Sequence, residues 1–243
     1  MRMASLIFAA SFCLAVLAGC GGDEGLAPSG SSDTIRAAFQ DGISPSASYR
    51  GTADAVLKND PDPAAANANF GSAPSDTLGS VLLSTAFYER RLIVRMDLSS
   101  ITDCSAVFSA RLSIRVAPPA PDAITLEARL INLPGWKRWV EGFGGSAGGV
   151  SWSTIDGAVP WTLPGGDFFS SVIDEQTVSG DSVVTFSLSP AFVMEWIRNP
   201  ASNHGIVIRS SDLSRARYAI VFLRESGIAA RRPRLEIVYL PGG

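Results

Sequence analysis

The chain has 243 residues, a formal net charge of −3 and 46% hydrophobic residues. That length holds one large β-sandwich or barrel, and the mildly acidic balance excludes a nucleic-acid partner gripped by a global basic excess. All but two of the basic residues are arginine, the exceptions being Lys58 and Lys137.

At the N-terminus, Arg2 precedes a short apolar run over residues 6–17, which ends in Leu17-Ala18-Gly19-Cys20. The run is shorter than the ~20 residues a spanning helix needs. A positive start, an apolar stretch and small residues before a cysteine predict a cleaved signal over residues 1–19. The chemistry implied is thioether lipidation of Cys20, cleavage after Gly19 and acylation of the new terminus. Several acyl chains hold a membrane far more firmly than one, at about 0.8 kcal/mol per buried CH₂. The expected address is therefore the bacterial cell envelope, lipid-anchored. Gly21, with no acidic residue beside the cysteine, resembles outer-membrane sorting and leaves the leaflet open.

Residues 20–48 are dominated by Gly, Ser, Ala, Pro and Asp and read as a flexible tether. A folded domain is expected over 49–243, with a first strand at 52–57. Period-two alternation follows. Leu92, Val94, Met96 and Leu98 share one face, and Arg91, Ile93, Arg95 and Asp97 the other. Ala110, Leu112, Ile114 and Val116 back Arg111, Ser113 and Arg115, while Ile124, Leu126, Ala128 and Leu130 back Thr125, Glu127 and Arg129. Further strands are read at Val184–Phe186–Leu188, residues 206–208, residues 218–223 and Leu235–Ile237–Tyr239. Serial alternation with Pro/Gly turns predicts an all-β sandwich. One short helix interrupts it. Ser189 suits an N-cap, Pro190 the first turn, and Phe192 and Trp196 are spaced i, i+4 before the stop at Asn199-Pro200. Its aromatic face is expected to plug one end of the sandwich.

The order of short motifs is specific. Asn69-Phe70-Gly71 follows the first strand, ahead of Arg91-Leu92-Ile93-Val94-Arg95-Met96-Asp97-Leu98. Ala110-Arg111-Leu112 opens the next strand, and Trp139-Val140-Glu141 precedes Val150-Ser151-Trp152. Phe186-Ser187-Leu188 leads through Trp196 to Gly205-Ile206, and the chain closes on Arg232-Pro233-Arg234-Leu235-Glu236-Ile237-Val238-Tyr239. Over residues 50–240 this succession resembles the DNRLRE-domain proteins, a family of secreted bacterial and archaeal β-sandwich modules. The resemblance implies a jelly-roll sandwich of galactose-binding-like type. It also implies a carbohydrate-binding module, because related modules bind uronic-acid polymers such as alginate and others belong to disaggregatase-related surface proteins. Two departures stand out. Leu223-Arg224-Glu225 occupies a place where relatives often carry Ser-Arg-Glu, and a glycine-rich insert spans residues 142–149.

Candidate binding residues come from the polar strand faces. By parity Arg91, Arg95, Arg111, Arg115 and Arg129 all point away from the apolar side. If their strands share a sheet, they form a guanidinium row able to hold polymer carboxylates through bidentate bonds; otherwise they serve cross-strand ion pairs. Of the tryptophans, Trp139 and Trp152 are expected to pack in the core. Trp136 and Trp161, flanked by Gly and Pro, are expected to be exposed and able to stack on sugars. Asn59-Asp60-Pro61-Asp62 is either turn chemistry or an oxygen-rich calcium site at Asp60 and Asp62.

Cys13 leaves with the signal and Cys20 is lipidated, so Cys104 stands alone, without a disulfide or a cysteine zinc site. It is expected as a small buried residue near a strand end. His204, in the turn-like stretch 199–205, is expected to be solvated. No nucleophile elbow, HExxH or Walker loop is present; Glu141 and Glu225 are a candidate glycosidase pair that geometry, not sequence, decides. The expectation is a non-catalytic module binding acidic polysaccharide. The alternatives are a structural or adhesion envelope protein that binds another protein, and a polysaccharide-degrading enzyme.

Overall fold

The computed structural model describes residues 33–144 and 148–242. The signal, Cys20, the first part of the expected tether and the middle of the glycine-rich insert lie outside the described residues. The rest is mostly antiparallel β-structure with two helices. In chain order the elements are β1 (Ile35–Phe39), β2 (Thr52–Lys58), α1 (Pro63–Ala66), β3 (Ser75–Leu83), β4 (Ala86–Met96), β5 (Ala106–Val116), β6 (Ile124–Leu130), β7 (Asp174–Val178), β8 (Ser182–Leu188), α2 (Pro190–Arg198), β9 (Ile206–Ser210), β10 (Arg217–Phe222) and β11 (Arg234–Leu240). The strands hydrogen-bond in the order β1-β11-β5-β10-β3-β4-β9-β6-β7, with β2 added on β4 and β8 on β5.

The tether boundary needs correction. Residues 35–39 form β1, which pairs antiparallel with the last strand from Ile35 opposite Tyr239 to Phe39 opposite Leu235. Phe39 is fully buried and meets Tyr49 edge-on at 5.8 Å. Three alternating apolar residues inside a Ser/Asp/Gly-rich stretch are too few to raise a composition signal, yet they suffice to extend a sheet edge. A second correction concerns helix number: α1 is an additional turn, with Pro63 in its first turn and the Asp62 carboxylate capping the Ala64 N–H at 2.9 Å.

The parity reading of the long strands agrees with the structure. Leu92, Val94 and Met96 of β4, Leu112 and Ile114 of β5 and Leu126 of β6 all face one large core. Val94, Met96 and Leu112 even line the same small cavity. A second core lies on the reverse side of β2, β4 and β9. Ala55, Leu57, Ile93 and Val207 pack there against Ile131, Leu133, Trp139, Val150, Ile155 and Trp161. Those last six belong to residues 131–173, which carry no named strand or helix among the described residues, only isolated bridges at Ile131–Phe168 and Thr154–Pro160. This covering layer explains two oddities of the sequence. Ile93 sits between two arginines, and Ile206-Val207-Ile208 is apolar without alternation, because these strands are buried on both faces.

Helix α2 divides its aromatic pair. Val193 and Trp196 enter the large core, whereas Phe192 stays substantially exposed. Ser189 precedes the helix but its side chain makes no capping hydrogen bond. Cys104 is half-buried against the large core just before β5, and burial pushes its thiol pKa up, away from reactivity.

Candidate functional site

The covering layer sits over the arginines of β4 and β6. Arg91 donates to Glu89 Oε2 (2.5 Å) and the Gly165 carbonyl (2.6 Å), with its guanidinium against Trp152 (4.7 Å) and Phe168 (5.1 Å). Arg129 grips both oxygens of Glu127 (2.9 and 3.1 Å) and donates to the Ser170 carbonyl. Arg209 bridges Glu89 (2.6 Å) and Glu127 (3.5 Å). The Phe168 ring lies within 6.0 Å of all three guanidiniums. Arg95 stacks on Trp139 at 4.5 Å and donates to that residue's carbonyl at 3.0 Å. Burial, then the charge of Arg138, lowers its pKa to about 10.

The expected row of five arginines is therefore not one open face. Arg91, Arg95 and Arg129 share a side, but each has guanidinium donors engaged beneath the layer, with Arg91 Nε buried and unpartnered. Arg111 and Arg115 belong to β5, which does not neighbour β4. Arg111 is exposed, and Arg115 pairs with Asp181 at 2.7 Å near the surface. Alternation reveals which side of a strand a residue occupies; it carries no information about what folds back over that side.

The tryptophans divide differently from the sequence reading. Trp136 is exposed as expected, at 82%, with Lys137 Nζ 5.1 Å from its ring. Trp161 is only 4% exposed, a correction: its indole N–H donates to the Ser151 carbonyl at 2.9 Å inside the second core. Trp139 is fully buried and donates to the His204 carbonyl at 2.8 Å. Trp152 is half-buried at the edge of the same core.

A groove opens between the layer and α2. Two adjoining cavities of about 270 and 230 Å³ share Leu130, Phe169 and Phe192 in their walls. The larger also reaches Asn132, Glu195, Ser202 and His204. His204 is buried, not solvated as expected, because Gly205 leads straight into β9 and brings the preceding residue under the layer. Burial first, then Arg95 and Arg138, lowers its pKa, against the opposite pull of a hydrogen bond to the Leu133 backbone. Its Nδ1 is buried without a hydrogen-bond partner. An apolar wall with a few polar groups is the composition of a small-ligand site.

A third grouping surrounds Arg224, just after β10. Its Nε lies 2.7 Å from Glu141 Oε1 and 2.6 Å from Glu225 Oε1, and its Nη1 lies 3.5 Å from Asp41 Oδ2. The backbone N–H of Arg224 donates to Asp54 Oδ2 at 2.9 Å, and the Asp54 N–H donates to Glu141 Oε1 at 2.8 Å. Burial raises Asp54 well above the usual carboxylate range, reinforced by Glu225 and Glu141. Burial is also the main cause that lifts Glu141 to about 7, against the pull of the Asp54 N–H and Arg224. Glu225 rises chiefly by burial as well.

Asn69 fastens this corner. Its amide nitrogen donates to the carbonyls of Glu141 (2.5 Å) and Val150 (2.8 Å), and its oxygen accepts from the N–H groups of Gly71 and Gly144. A Cβ at Gly71 would run into the Glu141 carbonyl. The motifs Asn69-Phe70-Gly71, Trp139-Val140-Glu141 and Leu223-Arg224-Glu225 thus converge in space. Sequence reasoning found Glu141 and Glu225 but missed Asp54 and Asp41. An ionisable residue inside Ala53-Asp54-Ala55-Val56-Leu57 was the available signal. The calcium candidates fare otherwise: Asp62 caps α1, while Asp60 accepts the Asp62 N–H and pairs with Arg90 at 2.9 Å. Both carboxylates are occupied by turn chemistry.

No protein-family model matches the chain, and no curated protein matches it in sequence.

Proposed function

We propose that the chain is a lipid-anchored envelope protein whose β-domain is a non-catalytic glycan-binding module, with the groove beside α2 as its site. We also infer that the two halves of the sheet stack as a sandwich of jelly-roll type, which the cavity shared by Val94, Met96 and Leu112 supports. The observation that carries the glycan reading is the pairing of two exposed rings, Phe169 and Phe192, with Asn132, Glu195 and His204 in the walls of one groove. Aromatic faces accept the C–H side of a sugar, while Asn132, Glu195 and His204 meet its hydroxyls. Exposed Trp136 and Arg138, with half-buried Lys137, adjoin the groove at Gly135. They supply the aromatic surface and the cations for a uronate carboxylate that the covered arginines do not.

Glycan-array binding of residues 33–243, which form one compact unit, tests the reading. Retention of uronate polymers is expected, with Phe192→Ala and Phe169→Ala each weakening it about tenfold, or about 1.4 kcal/mol. Replacing Lys137 and Arg138 by Ala should reduce uronate binding and spare neutral glycans. Absence of glycan retention would shift support to the second reading, a protein partner, which the exposure of Phe143 (92%) and Leu163 favours.

A further inference from the structure

The carboxylates around Arg224 lie outside the groove and have no part in the glycan reading. One oxygen from each of Asp54, Glu141 and Glu225 lies within 4.8 Å of the others. Oxygens bound to one calcium at 2.3–2.6 Å can be no more than about 5 Å apart, so these three are close enough to share one ion. We propose that Asp54, Glu141 and Glu225 bind a divalent cation of calcium type.

Two unused atoms point to it. Asp54 is 0% exposed, its Oδ2 is held by the Arg224 N–H, and its Oδ1 is buried without any hydrogen-bond partner. Glu225 Oε2 is likewise buried and unpartnered. A buried carboxylate oxygen in that state is costly unless a donor or cation reaches it. Arg224 does not meet the need. Its Nε is close to Glu141 and Glu225, yet neither oxygen lies along the N–H direction, and Nε itself counts among the buried atoms without a hydrogen bond.

Charge leads to the same place. Asp41, Asp54, Glu141 and Glu225 surround one guanidinium, an excess of three negative charges when all are ionised, and a divalent ion reduces it to one. The donors are all hard oxygens, which favours calcium or magnesium over zinc or copper. They come from three separate segments in irregular array, which calcium tolerates better than magnesium with its near-octahedral demand. The site is framed by fixed backbone: Asp54 lies opposite Val94 in the β2–β4 ladder, Asn69 holds the Glu141 carbonyl, and the Leu223 N–H bonds the Pro74 carbonyl. The Glu225 side chain is 25% exposed and leaves an entrance. An ion there ties the covering layer to β2 and to the segment after β10.

Thermal melting of the purified full-length chain in EDTA and in excess CaCl₂, with calcium titration calorimetry beside it, tests the site. Calcium should raise Tm by about 5–10 °C at a hundredfold excess over Kd, with one ion bound. Asp54→Asn and Glu225→Gln should each melt cooperatively in EDTA and lose the calcium-induced rise. The double variant Asp60→Asn/Asp62→Asn should keep it. Absence of both heat and Tm shift in the unaltered chain overturns the proposal, as does an Asp54→Asn chain that retains the rise. A rise with MgCl₂ equal to that with CaCl₂ overturns the calcium assignment.

Discussion

Two of the buried ionic clusters among the described residues are solved in opposite ways. Beneath the covering layer, Arg91, Arg129 and Arg209 share two carboxylates, Glu89 and Glu127, and gather around the Phe168 ring. At the corner near Asn69, four carboxylates share the single Arg224. A guanidinium in excess can turn to an aromatic face or a backbone carbonyl, and Arg91 does both. A carboxylate in excess can turn only to N–H or O–H donors, and where these fall short, as at Asp54 Oδ1 and Glu225 Oε2, it takes up a proton or a cation. The sign of the surplus charge, more than the depth of burial, decides whether such a cluster closes on itself.

The largest change should come from emptying the core that anchors the layer over the first cluster. Trp139→Ala is expected to cost about 3–5 kcal/mol in denaturant unfolding, since it empties the second core and strips the stacking surface from Arg95. A loss below about 1 kcal/mol would mean that the layer is held by something other than this core. Next, equivalent neutralisations should have opposite signs. Glu89→Gln removes one of the cluster's two carboxylates, the one that pairs Arg91 and Arg209, and should cost about 3 kcal/mol. Asp54→Asn, measured in EDTA, should gain about 1 kcal/mol by placing an amide donor among the crowded oxygens of Glu141 and Glu225. If both variants lose stability, the contrast between the clusters is wrong.

The same contrast has a pH signature. Glu141 holds its proton up to about pH 7 in the folded chain, whereas an unfolded glutamate releases it near 4.3. Between those values the native state binds more protons, so stability in EDTA should fall as pH rises through this window. Melting curves at pH 5, 6, 7 and 8 check this, and Glu141→Gln should flatten the slope. The smallest effect belongs to Arg115→Ala. Its ion pair with Asp181 is largely solvated, so the loss should stay within about 0.2–1 kcal/mol.

Much of the sheet was legible. Leu92, Val94 and Met96 alternate with polar neighbours because one face meets the large core, and period two records that directly. Helix α2 was equally plain, with Pro190 at its start and Asn199 at its end. The candidate site was less so. Arg91 and Arg129 read as solvent-facing because alternation is local, while Phe168 and Trp152 reach them from a segment with no period at all. Trp161 read as exposed for its glycine and proline neighbours, which here shape a buried loop. His204 and Asp54 were obscured for a different reason. Each takes its meaning from partners remote in sequence, Trp139 for one and Arg224 for the other, and no spacing rule connects them.

The covering layer has one further consequence, for the order in which the chain folds. Residues 131–173 rest on surface supplied by β9, where Val207 enters the second core, the His204 carbonyl receives the Trp139 indole and the Gly205 carbonyl receives the Ile131 N–H. Those partners are synthesised after the layer itself. A segment from the middle of the chain can therefore complete its packing only once β9 is in place, and its bonds to Asn69 are expected to make it open as one unit. In hydrogen exchange the amides of Val140, Val150 and Ile155 should open together, and earlier than those of β4.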